Sequence, residues 1–188
     1  MRLFPPPRPR KARSGPVLLV RSVPGDPRRG VLQAGYLRIP CALGRSGITA
    51  FKREGDGGTP LAAMAVLGAY VRGGRRGKPV RLPGLPVRRA RADDGWCDAP
   101  RHPAYNRPVR LPLGASTETM QREDGLYDVV VVLDWNVRTR ARGLGSAIFL
   151  HIARPGYRPT EGCVAVSRRD MDRLAPFLKL GARLVVRR

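Results

Sequence analysis

Residues 127–135 read Tyr-Asp-Val-Val-Val-Val-Leu-Asp-Trp. Four β-branched side chains in a row are stiff at χ1 and favour a strand over a helix. An unbroken apolar run of this length marks a strand buried on both faces. Such a strand needs neighbours on each side and covering layers above and below. Gly143-Leu144-Gly145 turns the chain, and residues 146–152 read as the next strand, antiparallel to the first, so that the pair forms the centre of a sheet. Elsewhere the apolar stretches are short and separated by turns, in a chain with 22 glycines and 19 prolines among 188 residues. That punctuation predicts a mostly β fold, and the length allows a single domain with a real core.

Residues 1–16 are rich in proline and basic side chains and read as a disordered arm, leaving 17–188 as the folded domain. The arm looks like the charged start of an export signal, but the apolar run that follows, 17–20, is far shorter than the roughly 7–15 residues such a signal uses. No clear signal peptide is therefore expected, and no stretch is long enough for a transmembrane helix. Residues 17–20 and 30–43 read as strands, with a hairpin at Pro24-Gly25-Asp26-Pro27. Residues 51–60 hold too many glycines for regular structure; the segment lacks phosphate-loop spacing and reads as a tight turn that brings backbone close to a neighbour. Residues 61–71 are ambiguous between helix and strand, and 72–94 read as a surface connection with at most a short strand. Ser167 is placed to cap a helix whose third residue is Asp170, and Met171, Leu174, Ala175 and Leu178 fall on one face. The helix is predicted over about 167–180, ended by Gly181 and followed by a strand over 182–186.

The formal charge of +22 suggests a polyanion partner. All but four of the 36 basic residues are arginine, the lysines being Lys11, Lys52, Lys78 and Lys179, and the arginines are spread along the chain. No zinc-finger spacing, helix-turn-helix or aromatic RNA-binding strand accompanies them, so no specific nucleic-acid partner is expected. The charge favours acidic polymers in general, cell-wall material included.

Of three cysteines, Cys41, Cys97 and Cys163, none lies in a C-x-x-C pair, which argues against a zinc site. Whether Cys41 and Cys97 pair is open. Cys163 stands twelve positions after His151, each at the edge of a β-type segment, with a loop of two prolines and Gly156 between them. If that loop folds back, the two form a nucleophile and its base. Residues 95–109 concentrate Trp96, Asp98, Tyr105 and Asn106 in what reads as a loop, suited either to the wall of a ligand cleft or to covering the core edge. His102, between Arg101 and Pro103, reads as solvated.

Thr160-Glu161-Gly162-Cys163-Val164, with His151 upstream at the end of a strand, resembles the signature of the L,D-transpeptidase catalytic-domain family (YkuD-type). Lys52-Arg53-Glu54-Gly55-Asp56-Gly57-Gly58-Thr59-Pro60 is similar to that family's KREGDGxTP turn, after which a strand follows, so the resemblance resolves 61–71 as a strand. Segments at 96–98, 105–108 and 145–151 resemble a small, bacterial, single-domain branch. The likeness spans roughly 17–186 with the segments in order. Two positions depart from the pattern. Glu161 stands where many members have histidine, placing a carboxylate that would raise the thiol pKa unless it points away, and Ala165 stands where members carry Arg or Asn.

The resemblance implies a β-sandwich of mixed sheets, with one helix packed on it and a long active-site loop. It implies a cysteine acyltransferase of the cell envelope, expected to be a monomer without cofactor or metal, that acts on peptidoglycan stem peptides. Cys163 is the nucleophile, His151 the general base and acid, and the backbone N–H groups of Gly162 and Cys163 the oxyanion hole. Trp96, Tyr105, Asn106, Ser146 and Thr160 are the substrate-binding candidates. A main-chain carbonyl or Ser146 orients His151. Hydrolysis at the same site, as an L,D-carboxypeptidase or amide hydrolase, is the enzymatic alternative, and a non-catalytic basic polyanion-binding protein is the third reading.

Overall fold

The computed structural model describes residues 15–73 and 80–188; the expected basic arm falls almost wholly outside them. In chain order the strands are β1 (Val17–Val23), β2 (Asp26–Ala34), β3 (Leu37–Ala42), β4 (Ile48–Thr49), β5 (Thr59–Pro60), β6 (Ala63–Val71) and β7 (Val87–Arg89). They continue with β8 (Asp94–Cys97), β9 (Arg107–Arg110), β10 (Thr117–Thr119), β11 (Val129–Leu133), β12 (Phe149–Ile152), β13 (Val164–Val166) and β14 (Arg183–Arg187). One α-helix, α1 (Arg168–Leu174), lies between β13 and β14.

The fold is mostly β, as the turn density requires. Nine strands form a mixed sheet in the order β11-β12-β13-β3-β2-β1-β14-β6-β7, and β6 also pairs with β11. That extra pairing closes the sheet on itself, so the layers of the expected sandwich belong to one continuous sheet. The closure is possible because β6 carries β14 on one edge, along Ala63–Ala65, and β11 on the other, along Val66–Val71. β11 is buried along its whole length. Val129, Val131 and Leu133 enter the main core with Leu18, Leu32, Ile39 and Leu184, whereas Val130 and Val132 pack on the opposite face against Trp96, Tyr127 and Phe149. Two buried faces explain why the valines run without polar interruption.

Several expectations need correction. Residues 30–43 belong to two strands, β2 and β3, that turn at Gly35-Tyr36, and the strand expected over 146–152 begins only at Phe149, after Ala147 at φ +51°. Residues 95–109 are not simply a loop: β8 pairs with both β9 and β10 in a three-stranded sheet. The described part of 72–94 is more than a surface connection, because Val80, Leu82 and Leu85 are buried in the main core. The helix is shorter than 167–180. It ends at Leu174 and tightens into a 3-10 turn over Ala175–Phe177, because Pro176 has no N–H to continue the ladder. Met171, Leu174 and Leu178 still face the core. The cap is as expected: Ser167 Oγ accepts from the Asp170 N–H at 3.1 Å and donates to the Asp170 carboxylate at 2.7 Å. All three cysteines are free thiols, with Cys41 in β3 and Cys97 in the separate β8 sheet.

Ser167→Ala removes both cap bonds while leaving the helix's core face in place. It should lower unfolding free energy by about 1 kcal/mol in denaturant titration, with an unchanged m-value.

Candidate active site

β12 and β13 run parallel, with Leu150 opposite Val164 and His151 opposite Ala165. One step earlier Phe149 stands beside Cys163, and the Phe149 N–H points at Sγ at 3.3 Å. Alternation along β12 places Phe149 and His151 on one face, the face that carries Cys163. Thiol and imidazole are thus diagonal neighbours on adjacent strands, a separation of roughly 7–8 Å between backbones that side chains can bridge. Both line one cavity of about 330 Å³, together with Glu54, Asp98, Arg122, Tyr127, Ser146 and Thr160.

A main-chain carbonyl, not Ser146, orients the imidazole. His151 Nδ1 lies 2.9 Å from the Ile152 carbonyl oxygen, which only accepts, so Nδ1 carries the proton and Nε2 is left as the basic nitrogen. Tyr127 packs edge-on against the ring at 5.2 Å, and the Arg122 guanidinium sits over Tyr127 at 5.3 Å. Burial pushes the His151 pKa down to about 4; the Ile152 carbonyl opposes the shift, and Arg122 and Arg154 add to it. Ser146 Oγ instead donates to Glu54 at 2.8 Å, and Tyr105 Oη donates to the same oxygen.

The thiol is held between peptide groups. Sγ–H donates to the Ala147 carbonyl at 3.2 Å. Burial pushes the Cys163 pKa up to about 12, with the Phe149 N–H acting the other way, Glu118 adding to the rise and Lys52 opposing it. Desolvation is the largest influence on the thiol. At rest the site therefore holds a neutral thiol and a neutral imidazole.

The loop before the thiol is shaped by Thr160. Its Oγ1 accepts from the Gly162 N–H at 3.1 Å and donates to the Cys163 carbonyl at 2.7 Å. The Gly162 N–H is engaged within the loop, so of the two expected oxyanion donors it is not free in this state. Glycine is required at 162 by φ +135° and by the neighbouring turn: a Cβ would lie 2.8 Å from the Gly58 carbonyl oxygen. The clash it avoids is with the protein's own 51–60 loop. Glu161 points away from the thiol, 79 % exposed and 2.8 Å from Arg45 Nε. Arg45 also donates to the Gly55 carbonyl at 2.8 Å, tying the thiol loop to the glycine-rich turn.

Of the substrate-binding candidates, Ser146 and Thr160 line the cavity. Trp96, Tyr105 and Asn106 do not; they are buried behind it, so of the two readings of this segment the one that covers the core edge holds, and their expected part in substrate binding is corrected. The Trp96 Nε1–H donates to Asn106 Oδ1 at 2.9 Å, satisfying two polar groups that would otherwise be stranded. Glu54 and Arg122 are cavity residues that sequence reasoning passed over. Glu54 lay inside the 52–60 motif but was read only as turn.

A family model described as the L,D-transpeptidase catalytic domain (YkuD) matches residues 28–186. Among solved structures, the chain is similar to an L,D-transpeptidase from Mycobacterium smegmatis at 13% identity and TM-score 0.42, over 93% of this chain and 59% of that one. It is also similar to Bd1075 of Bdellovibrio bacteriovorus (15%, TM-score 0.47, 93% and 48%). L,D-transpeptidase 1 of Mycobacterium tuberculosis is a third (12%, TM-score 0.39, 92% and 62%). The chain thus spans about half to three-fifths of those proteins' lengths. No curated protein matches it in sequence.

The depressed His151 pKa makes a stability prediction. Between pH 6.5 and about 4 the unfolded chain binds a proton at this histidine that the folded chain refuses, so stability is full above pH 6.5 and falls as the pH drops through that window. The loss is at most about 3 kcal/mol. Denaturant titrations at pH 7 and pH 4.5 should show it for the native protein and a smaller loss for His151→Gln.

Proposed function

Because this chain belongs to the L,D-transpeptidase catalytic-domain family, we propose that it is a cysteine acyltransferase that joins peptidoglycan stem peptides through a thioester on Cys163. The observation that carries the reading is that Cys163 and the unprotonated Nε2 edge of His151 open onto one cavity from adjacent parallel strands. Residues 17–188 are the catalytic unit in this reading. Its place of action is the cell envelope. No helix among the described residues is long and apolar enough to cross a membrane.

The reaction begins when a stem tetrapeptide enters and places the carbonyl of its L-centre beside Sγ. The thiol leaves the Ala147 carbonyl and passes its proton to His151 Nε2 as sulfur attacks. Proton transfer in the complex replaces a standing thiolate, which the buried site disfavours. The Phe149 N–H, already aimed at sulfur, lowers the cost of charge there. The oxyanion is held by the Cys163 N–H, joined by the Gly162 N–H once Thr160 Oγ1 releases it. Collapse breaks the C–N bond, and His151 returns its proton to the departing D-alanine amine. An acceptor amine from a neighbouring stem then loses its proton to His151 and attacks the thioester, releasing the thiol. Arg154 and Arg158 line the same cavity and suit the carboxylates that stem peptides carry.

Burial keeps the His151 imidazole neutral at rest, so Nε2 is unprotonated when substrate arrives. A thiol that is scarcely ionised without substrate is also protected from adventitious oxidation.

The test uses disaccharide or soluble tetrapeptide stems and mass analysis of products. Dimers are expected from the native protein, none from Cys163→Ala, and about 10²–10⁴-fold fewer from His151→Gln. Tripeptides alone would identify water as the acceptor and the hydrolase reading as correct. Products unchanged in Cys163→Ala would exclude the thioester.

A further inference from the structure

Two residues beside the site hold a backbone conformation that L-amino acids seldom adopt: Asn106 at φ +54° and Ala147 at φ +51°. Asparagine tolerates that region through its short polar side chain, but alanine has no such compensation. The two are bonded to each other. Asn106, fully buried, accepts the Ala147 N–H at 3.1 Å on the same Oδ1 that takes the Trp96 indole N–H, and its Nδ2 donates to the Trp135 carbonyl at 3.0 Å. Its own main-chain N–H donates to the Cys97 carbonyl at 2.8 Å. The amide is therefore anchored to β8 on one side and to the segment after β11 on the other.

The residues leading to Ala147 are pinned as well. Asn136 Nδ2 donates to the Gly145 carbonyl at 2.9 Å, and Ser146 Oγ donates to Glu54. At the end of this chain of bonds stands the Ala147 carbonyl, which accepts the Cys163 S–H, with the Phe149 N–H two residues on donating to the same sulfur. Rotation of Ala147 to an ordinary negative φ would turn its peptide groups and take that acceptor from the thiol. A strained conformation kept by surrounding bonds next to a reacting atom is the pattern in which strain serves function.

We propose that Asn106 and Ala147 form a positioning unit that fixes the direction of the Cys163 thiol, and that acyl transfer depends on the left-handed conformation they share. The effect on transfer rests on the acyltransferase reading above; the effect on the thiol itself does not. Neither residue reacts with substrate. Asn106 acts through Ala147, and Ala147 acts through its carbonyl. The unit keeps the sulfur seated over β12, protonated and aimed, until substrate takes the place of the carbonyl.

The test is the pH dependence of Cys163 alkylation by iodoacetamide in the full chain, read by peptide mass mapping, for Ala147→Val and Asn106→Ala, with Ala147→Gly as the conformational control. Cys41, buried in β3, is the internal control for folding. Glycine takes φ +51° without strain, so Ala147→Gly keeps the carbonyl in place and should follow the native alkylation curve. A β-branched side chain disfavours that region, and Asn106→Ala removes the bond that holds it, so both should turn the residue 147 carbonyl away from the thiol. Losing the carbonyl acceptor removes a bond to the neutral thiol, so in both variants the alkylation midpoint should fall and the rate at pH 8 rise about tenfold. Transfer between stem peptides should fall about tenfold in the same two variants. A merely structural role would leave their alkylation profiles on the native curve while Cys41 stays protected, and that result overturns the proposal. Should Asn106→Ala expose Cys41 through misfolding, Ala147→Val decides alone. If the native protein transfers nothing, the acyltransferase reading fails, while the alkylation profiles still decide the positioning role.

Discussion

The parallel pairing of β12 with β13 is the constraint on which the site depends. Parallel neighbours need a crossover, and here residues 153–163 make it without an α-helix. The crossover carries Thr160, Glu161 and Gly162 and returns the chain so that Cys163 begins the second strand beside the Phe149 that begins the first. One residue of slip would turn the thiol to the opposite face of the sheet and into the main core. Register is kept by the buried runs on both strands and by Thr160, whose hydroxyl fastens the last turn of the loop.

Burial then decides the electrostatics. Cys163 and His151 both lie in a face packed by Tyr127, Phe149 and Trp96, and desolvation moves their pKa values apart, up for the thiol and down for the imidazole. The resting pair is neutral, so the polar groups around it serve geometry more than charge. The Ile152 carbonyl sets the imidazole tautomer, the Ala147 carbonyl and Phe149 N–H seat the sulfur, and Asn106 supports Ala147 from behind. Arg45 draws Glu161 outward, which removes the penalty that a carboxylate next to the thiol would impose. The departure at residue 161 is thereby compensated by a residue more than a hundred positions earlier in the chain.

Much of this was legible along the chain, and the remainder was not for a physical reason. β11, β12 and the hairpin of β1 and β2 were readable because their burial is local and periodic. The cap at Ser167 was readable because capping is a matter of three residues. The end of α1 was misplaced because the apolar face continues past Pro176 while the hydrogen-bond ladder does not. Closure of the sheet depends on β6 pairing with β14 on one edge and β11 on the other, partners far apart in the chain that no local pattern records. Trp96, Tyr105 and Asn106 were expected at the cleft wall because aromatic and amide groups suit ligands. They are buried because their polar atoms find each other, Ala147 and Glu54 instead. The need for glycine at 162 comes from the Gly58 carbonyl, about a hundred positions away in the chain, which no local pattern records.

The central claim is that Cys163 is an acylatable nucleophile served by His151. It is tested most directly by incubating the full chain with a carbapenem and locating the mass increment by peptide mapping. One adduct per chain, on Cys163, absent in Cys163→Ala and slowed in His151→Gln, is the predicted result. An adduct that persists in Cys163→Ala, or that maps to Cys41 or Cys97 in the native protein, would contradict the account.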